Sequence, residues 1–263
     1  MALKFAANLS LLFSDSPFLE RFARARAAGF RYVEFQFPYE HDLAAIARAL
    51  DENALELVLF NLPPGAWNAG ERGLAALPQR VQEFRASVTQ ALDAAKILHV
   101  PRLNCLVGNR DPNFALADQE RVLIENLRYA ARVFGEHEIA LGIEHLNAYD
   151  VPNYLLATPA SAFAIQSQAN APNLTVQYDV YHAQRAEGEL VNTLQQNLAR
   201  IGHIQIADTP GRHQPGTGEI NYAFVLNALE HAGYKNFVGL EYVPSSAPED
   251  WFAWIAEYGF ALR

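Results

Sequence analysis

A single cysteine in 263 residues excludes an internal disulfide, so Cys105 staples nothing within the chain. Lysine is almost as scarce, at positions 4, 96 and 235. None of the three stands at the C-terminal end of a strand read below, which removes the amine that Schiff-base chemistry needs. Basic charge as a whole is short: 20 Lys and Arg face 29 Asp and Glu, for a net charge of -9. A partner with a phosphate backbone calls for clustered cations, so no nucleic acid is expected. No uninterrupted apolar run approaches the ~20 residues that span a bilayer. The opening MALKFAANLS has no apolar signal core, and the expected compartment is cytoplasmic, without a membrane partner. No glycine-rich phosphate turn follows the first strand, where the chain reads NLSLLFSDSP, and no nucleophile elbow surrounds Ser10. PGTGEIN carries glycines at a spacing too weak for a phosphate loop and reads as a turn into a helix.

What is present is apolar material, 51% of the chain against 19% charged, enough for one large core. Short β-rich runs alternate with longer segments of helical period, the pattern of parallel βα units. The strands are KFAANL from Lys4, YVEFQF from Tyr32, ELVLFNL from Glu56, RLNCLV from Arg102, ALGIEHL from Ala140, LTVQYDV from Leu174, HIQIAD from His203 and FVGLEY from Phe237. Between them lie amphipathic stretches such as SPFLERFARARAAGF and LVNTLQQNLARIG, each closing near a glycine as helix ends prefer. PEDWFAWIAEYGFALR opens on proline and two acids, suited to a helix start. Eight strands and eight helices predict a (β/α)8 TIM barrel, α/β in class, as a single domain over residues 1–263; barrels of ~250 residues are ordinary.

Alternation within the strands then separates inside from outside. In the sixth strand Thr175, Gln177 and Asp179 share one face and Leu174, Val176, Tyr178 and Val180 the other, which must meet the helices. The same phase sends Glu144, Gln205 and Glu241 inward near the C-terminal ends of strands five, seven and eight. Gly142 and Gly239 precede the glutamates on that face and leave space beneath them. Three buried carboxylates together call for a cation. With the Gln205 carbonyl they offer four oxygen donors, which suits Mg²⁺ or Mn²⁺ better than tetrahedral Zn²⁺.

Around this cluster, His182 follows Asp179 just past the strand end, placed to polarise a substrate oxygen or carry a proton. Arg212 and His213 lie in the loop after strand seven, where an arginine fork suits a carboxylate. The long connection PPGAWNAGERGLAALP holds Trp67, Glu71 and Arg72 and is either a lid or a packed loop. Asn61, Asn104 and Glu34 point inward by phase as hydrogen-bonding support, with Asn104 also counted among the substrate contacts. Trp251, Phe252 and Trp254 fit a subunit interface in a homo-oligomer or packing against the barrel equally well.

The segments NLPPGAWNAGERGLA, LNCLVG, VQYDVYHAQ, HIQIADTPGRHQPGTGEINY and VGLEYVP resemble the characteristic blocks of the hydroxypyruvate isomerase family, within the xylose isomerase-like metal barrels. The resemblance covers nearly the whole chain. It implies a divalent metal on Glu144, Asp179, Gln205 and Glu241, the two glutamates also acting as acid and base. It implies isomerisation of a small hydroxy-oxo acid, hydroxypyruvate to 2-hydroxy-3-oxopropanoate, with Arg212 or Arg72 on the substrate carboxylate and the Trp67 loop excluding water. A glutamine at 205, where the wider superfamily often has histidine, agrees with this branch. The loop EHLNAYDVPNYLL departs from related isomerases, which more usually have proline after the glutamate, Arg around 149 and Gly around 153; Ala66 stands where an acid is common. Substrate identity is therefore open between this acid, a 2-oxo-tetronate and 3-epimerisation of a ketose. From other classes, a metal-dependent endonuclease or a non-catalytic metal-binding barrel remain as rivals.

Overall fold

The computed structural model describes residues 2–262, and eight parallel strands close into a barrel in sequence order, β1 hydrogen-bonding to both β2 and β8. The strands are β1 (Lys4–Asn8), β2 (Tyr32–Glu34), β3 (Glu56–Asn61), β4 (Arg102–Cys105), β5 (Ala140–Glu144), β6 (Leu174–Asp179), β7 (Ile201–Ile206) and β8 (Phe237–Leu240). Seven begin at the residue expected. The exception, β7, begins at Ile201 rather than His203, so Gly202 lies inside a strand and does not end a helix. The reason is packing: a Cβ on Gly202 would stand 2.2 Å from Thr175 Oγ1, a contact only glycine leaves room for.

Nine α-helices, not eight, surround the described barrel: α1 (Glu20–Ala27), α2 (Leu43–Glu52), α3 (Val81–Leu98), α4 (Leu116–Gly135), α5 (Pro159–Ala169), α6 (Val180–Ala186), α7 (Leu190–Asn197), α8 (Tyr222–His231) and α9 (Ala253–Glu257). The additional one arises because the connection from β6 to β7 breaks into α6 and α7 at Gly188, whose φ is +67°. The end of α1 follows the sequence expectation closely. Gly29 takes φ +96° and Phe30 N–H turns back to the Ala25 carbonyl, satisfying an orphan acceptor of the last turn.

The core lies between strands and helices, where the outward aliphatic faces meet the inner helix stripes. Phe22, Phe30, Phe35, Phe60 and Phe134 are fully enclosed there, each contributing roughly 1.5–3 kcal/mol through apolar burial. Inside the barrel the lower end is filled by Ala6, Val58 and Leu59, packed with Tyr32 and Phe237. Polar residues gather toward the upper, C-terminal end, although Arg102, at the start of β4, is buried low down beside the Phe237 ring at 5.9 Å. Trp254 packs edge-on against Phe5 at 5.6 Å and donates to the Tyr242 hydroxyl at 3.2 Å, so this tryptophan belongs to the barrel's own packing. Among the described residues no helix is long and apolar enough to cross a membrane.

Candidate active site

The upper mouth collects the polar side chains because four strands end there with inward residues. Glu144 and Asp179 are the last residues of β5 and β6, Gln205 is the last but one of β7, and Glu241 directly follows β8. All four are buried, at 4%, 1%, 1% and 5% exposure, which places the inward phase read from the sequence in a real enclosure. Strand register aligns Asp179 with Gln205 and Gln205 with Gly239.

Asp179 serves two ends at once. Its Oδ1 accepts from Tyr181 N–H at 2.8 Å and His182 N–H at 3.4 Å, capping α6. Its Oδ2 is buried with no hydrogen bond and faces the cluster. Glu144 Oε2 accepts from Asn104 Nδ2 and Gln177 Nε2, both at 2.9 Å. Glu241 Oε2 takes Arg212 Nη2 at 2.6 Å, while its Oε1 accepts from Gln36 Nε2 at 3.3 Å and Asn8 Nδ2 at 3.4 Å. Gln205 sits one layer lower. Its amide nitrogen donates to Glu34 Oε1 at 2.8 Å, and its carbonyl accepts from Gln177 Nε2 at 2.6 Å. Glu34, fully buried, also meets His203 Nε2 at 2.6 Å and Asn8 Nδ2 at 2.9 Å. Gly239 makes room for it, since a Cβ there would stand 2.3 Å from Glu34 Oε2. Beneath Glu144 the gap is ordinary: a Cβ on Gly142 would meet Asn104 Oδ1 at 3.5 Å.

These groups answer why a greasy strand carries an amide. A carboxylate only accepts hydrogen bonds, so Glu34 below takes the NH₂ end of Gln205 and turns its carbonyl toward the amide and carboxylate layer above. The donors suit a divalent cation. Glu144, Asp179 and His182 have ligand atoms within 4.8 Å of one another, a group that can hold a metal. Of the four ligands expected from the sequence this group holds Glu144 and Asp179, with His182 as the third member; Glu241 lies outside it, its Oε2 taken by Arg212, and the Gln205 carbonyl is engaged by Gln177.

Electrostatics follow from enclosure. Burial raises the Glu144 carboxyl, with Glu241 and Asp179 pushing the same way, and burial likewise raises Glu241 against the pull of Arg212. Asp179 is pushed up to about 7 by burial, held back by Arg212. The His182 imidazole is pushed well below its ordinary range by burial and by the Arg212 cation. Arg212, with its side chain 28% exposed, closes the mouth and lies 3.5 Å from Asp179 Oδ2 and 3.4 Å from His182 Nε2.

A cleft of about 220 Å³ opens between these residues and the loop after β3, with Arg72 and Trp67 on one wall and Glu144, His182, Arg212 and Glu241 on the other. Arg72 stacks on Trp67 at 3.8 Å from the ring centroid. The loop is pinned, not free: Leu74, Ala75 and Ala76 are buried, and Glu71 pairs with Arg80. His213 turns away to the Val243 carbonyl at 2.7 Å. PGTGEIN is a turn, as read, because Asp208 takes its amides: Oδ2 accepts from Gly216 and Gly218, and Oδ1 from Ile220. Asp208, Gln177, Gln36, Asn8 and Asn147 carry the site without having been assigned a role from the sequence. Gln177 shares the inward phase of Asp179 and was legible there; Gln36 and Asn147 lie in loops, where no period applies.

A closed eight-stranded parallel barrel with a buried acid cluster at its C-terminal mouth defines a barrel enzyme whose chemistry sits on the loop-bearing face. Residues 22–259 match the family model described as xylose isomerase-like TIM barrel, and the chain belongs to that family, in its hydroxypyruvate isomerase branch. It is 44% identical to hydroxypyruvate isomerase of Escherichia coli (strain K12), covering 97% of this chain and 99% of that one. It is 41% identical to 2-oxo-tetronate isomerase of Cupriavidus necator, over 97% and 98%. A crystal structure described as AP endonuclease, family 2 from Brucella melitensis superposes with a TM-score of 0.94 at 43% identity, over 97% and 99%. The chain is thus an enzyme, an isomerase of a small molecule.

Proposed function

We propose that the chain acts as a single barrel domain that isomerises a small hydroxy-oxo acid, hydroxypyruvate to 2-hydroxy-3-oxopropanoate, with Glu144 and Glu241 as acid and base. The supporting observation is the pair of buried carboxylates facing a cleft of about 220 Å³ with an arginine on either wall. Arg212 or Arg72 receives the substrate carboxylate; both flank the same small space. Asn104 holds Glu144 in place at 2.9 Å; fully buried and absent from the lining of the cleft, it supports the carboxylate and is not the substrate contact expected from the sequence.

Glu144, Asp179, Gln205 and Glu241 would hold a divalent cation, Mg²⁺ or Mn²⁺. Such an ion, when bound, supplies Lewis acidity that lowers the pKa of the substrate C–H and stabilises negative charge on oxygen. One glutamate takes the proton from the hydroxyl-bearing carbon, and the electron pair moves into an enediolate. The other glutamate returns a proton to the neighbouring carbon, which had been the carbonyl. The hydroxyl proton passes from the first oxygen to the second, within reach of His182. Raised carboxyl pKa values favour this exchange, because burial makes each carboxylate a stronger base toward the substrate proton than it would be in water. The stacked Trp67 and Arg72 cover the cleft and keep bulk water from the enediolate.

The experiment is a panel of hydroxypyruvate, a 2-oxo-tetronate and a ketose with Mg²⁺ or Mn²⁺ in D₂O, read by NMR. Isomerisation moves the carbonyl and places deuterium on the new carbinol carbon; epimerisation inverts a centre and leaves the carbonyl in place. The relative acting by name on 2-oxo-tetronate makes the four-carbon acid the second reading. An endonuclease is disfavoured by the net charge of -9, and the same protein assayed on abasic duplex tests it directly. No turnover of any acid or ketose with either metal would refute the reading.

A further inference from the structure

The loop after β5 places Asn147 against His182. We infer that Asn147 is a positioning residue that fixes the tautomer of His182, so that Nε2 permanently carries the proton and points a donor into the cleft. This rests on the proposed reading of His182 as a substrate contact.

The argument begins with the orientation of the Asn147 amide, which three partners determine. Its Oδ1 accepts from Tyr149 N–H at 3.0 Å and Asp150 N–H at 3.1 Å, and its Nδ2 donates to Asp150 Oδ2 at 3.0 Å. Rotating the amide by half a turn would set nitrogen against two backbone donors and oxygen against a carboxylate. All three bonds would become repulsive contacts.

With that end fixed, Nδ2 also lies 2.6 Å from His182 Nδ1, and the Asn147 backbone N–H points at the same atom from 3.2 Å. Two donors converge on Nδ1, and a nitrogen that accepts cannot itself bear hydrogen. The proton of the neutral ring therefore resides on Nε2. On the other side of the ring the contacts are long: Nε2 stands 3.6 Å from Asp179 Oδ2, beyond a hydrogen bond, and that oxygen lies nearer to Arg212 Nη2, at 3.5 Å. Arg212 Nη1 also approaches Nε2, but at 3.4 Å, far longer than the 2.6 Å contact at Nδ1, while its Nη2 is engaged by Glu241. The shorter and more numerous contacts at Nδ1 decide the tautomer.

Two consequences follow. His182 offers hydrogen, not a lone pair, to whatever occupies the cleft, which suits a substrate carbonyl or developing alkoxide. It also follows that His182 does not ligate a cation through Nε2 in this arrangement, although its ligand atom lies within 4.8 Å of those of Glu144 and Asp179.

The test is ¹⁵N–¹H correlation of ring-labelled histidine in the full chain near neutral pH, with His182 assigned by its loss in His182→Gln. The expected signature is a pyridine-type Nδ1 and a pyrrole-type Nε2. Asn147→Asp, whose carboxylate only accepts, is expected to move the proton to Nδ1 and to lower kcat on the order of 10²–10⁴-fold, since a wrongly placed tautomer loses its catalytic hydrogen bond. His182→Gln, whose amide nitrogen stands where Nε2 did, should retain more activity than His182→Asn. A wild-type spectrum with hydrogen on Nδ1, or on both nitrogens, overturns the inference, and this holds even if Asn147→Asp fails to fold. The spectrum is read without turnover, so a protein inactive on every hydroxy-oxo acid but showing the expected tautomer would sink the functional reading alone.

Discussion

Arg212 Nη2 lies 2.6 Å from Glu241 Oε2, so the cation of the β7–α8 loop is anchored on one of the two glutamates that face the cleft. The loop reaches that point because Asp208 gathers four of its backbone amides and because Val243 N–H binds the Arg212 carbonyl at 3.0 Å. Arg212 itself takes φ +54°, a conformation that a bulky side chain adopts only under such constraint. Charge-assisted hydrogen bonds contribute about 1.5–3 kcal/mol. Arg212→Ala should therefore lower kcat/KM for a carboxylate substrate about 10- to 150-fold. Arg212→Lys should recover little of it, because an ammonium lacks the two-pronged fork. Steady-state kinetics on hydroxypyruvate would show this, and an unchanged KM and kcat in both variants would remove Arg212 from the site.

Glu144→Gln and Glu241→Gln keep shape and most hydrogen bonds but abolish the ability to take a proton. Each single variant should lose on the order of 10²–10⁴ in turnover. Circular dichroism should report an unchanged fold. A double variant with full activity would show that neither carboxylate works on the substrate.

Cation affinity should rise with pH. Burial pushes Asp179 up to about 7, so below that value the metal-free carboxyl holds a proton that an incoming ion must displace. For this one group the affinity gains roughly tenfold per pH unit below 7 and levels off above it. Calorimetric titration with Mn²⁺ between pH 5.5 and 8.5 would measure the slope (about one decade per unit for one proton). Asp179→Asn should remove its share of the slope and leave what the raised Glu144 and Glu241 carboxyls contribute. A wild-type affinity independent of pH across that range would contradict the assignment.

The loop carrying Trp67 and Arg72 depends on Gly73, which has φ +113° and whose Cβ would stand 1.8 Å from the Leu106 carbonyl oxygen. Gly73→Ala combines strained backbone with a collision that rigid barrel backbone does not relieve. The expected cost is about 1–3 kcal/mol of stability. It should also raise KM as the stacked Trp67 and Arg72 shift. Urea denaturation and kinetics on the same sample would register both, and a Gly73→Ala protein indistinguishable from wild type would mean the loop base is looser than its contacts indicate.

The eight strands and the inward phase of Glu144, Asp179, Gln205 and Glu241 were legible in the sequence because both follow from periodicity alone. A strand of period two has only two faces, and an aliphatic face next to a polar one leaves no freedom in which side points to the axis. The same reasoning placed Glu34, Asn61 and Asn104 inside. It misplaced the start of β7, because Ile201 and Gly202 look like a helix ending in glycine unless Thr175 is known to lie against them.

What the sequence settled by itself was the barrel, the acidity of its mouth and the family, since these depend on short-range pattern and on blocks of residues in order. Only the tertiary structure decided which of the inward groups touch: that Gln177 joins Glu144 to Gln205, that Glu34 fixes the amide below, and that Asn147 meets His182 from a loop 35 residues away. Such pairings set protonation, tautomer and the end of an amide that faces the site. They arise from side chains on different strands and loops arriving at one place, a coincidence in space to which no spacing along the chain corresponds.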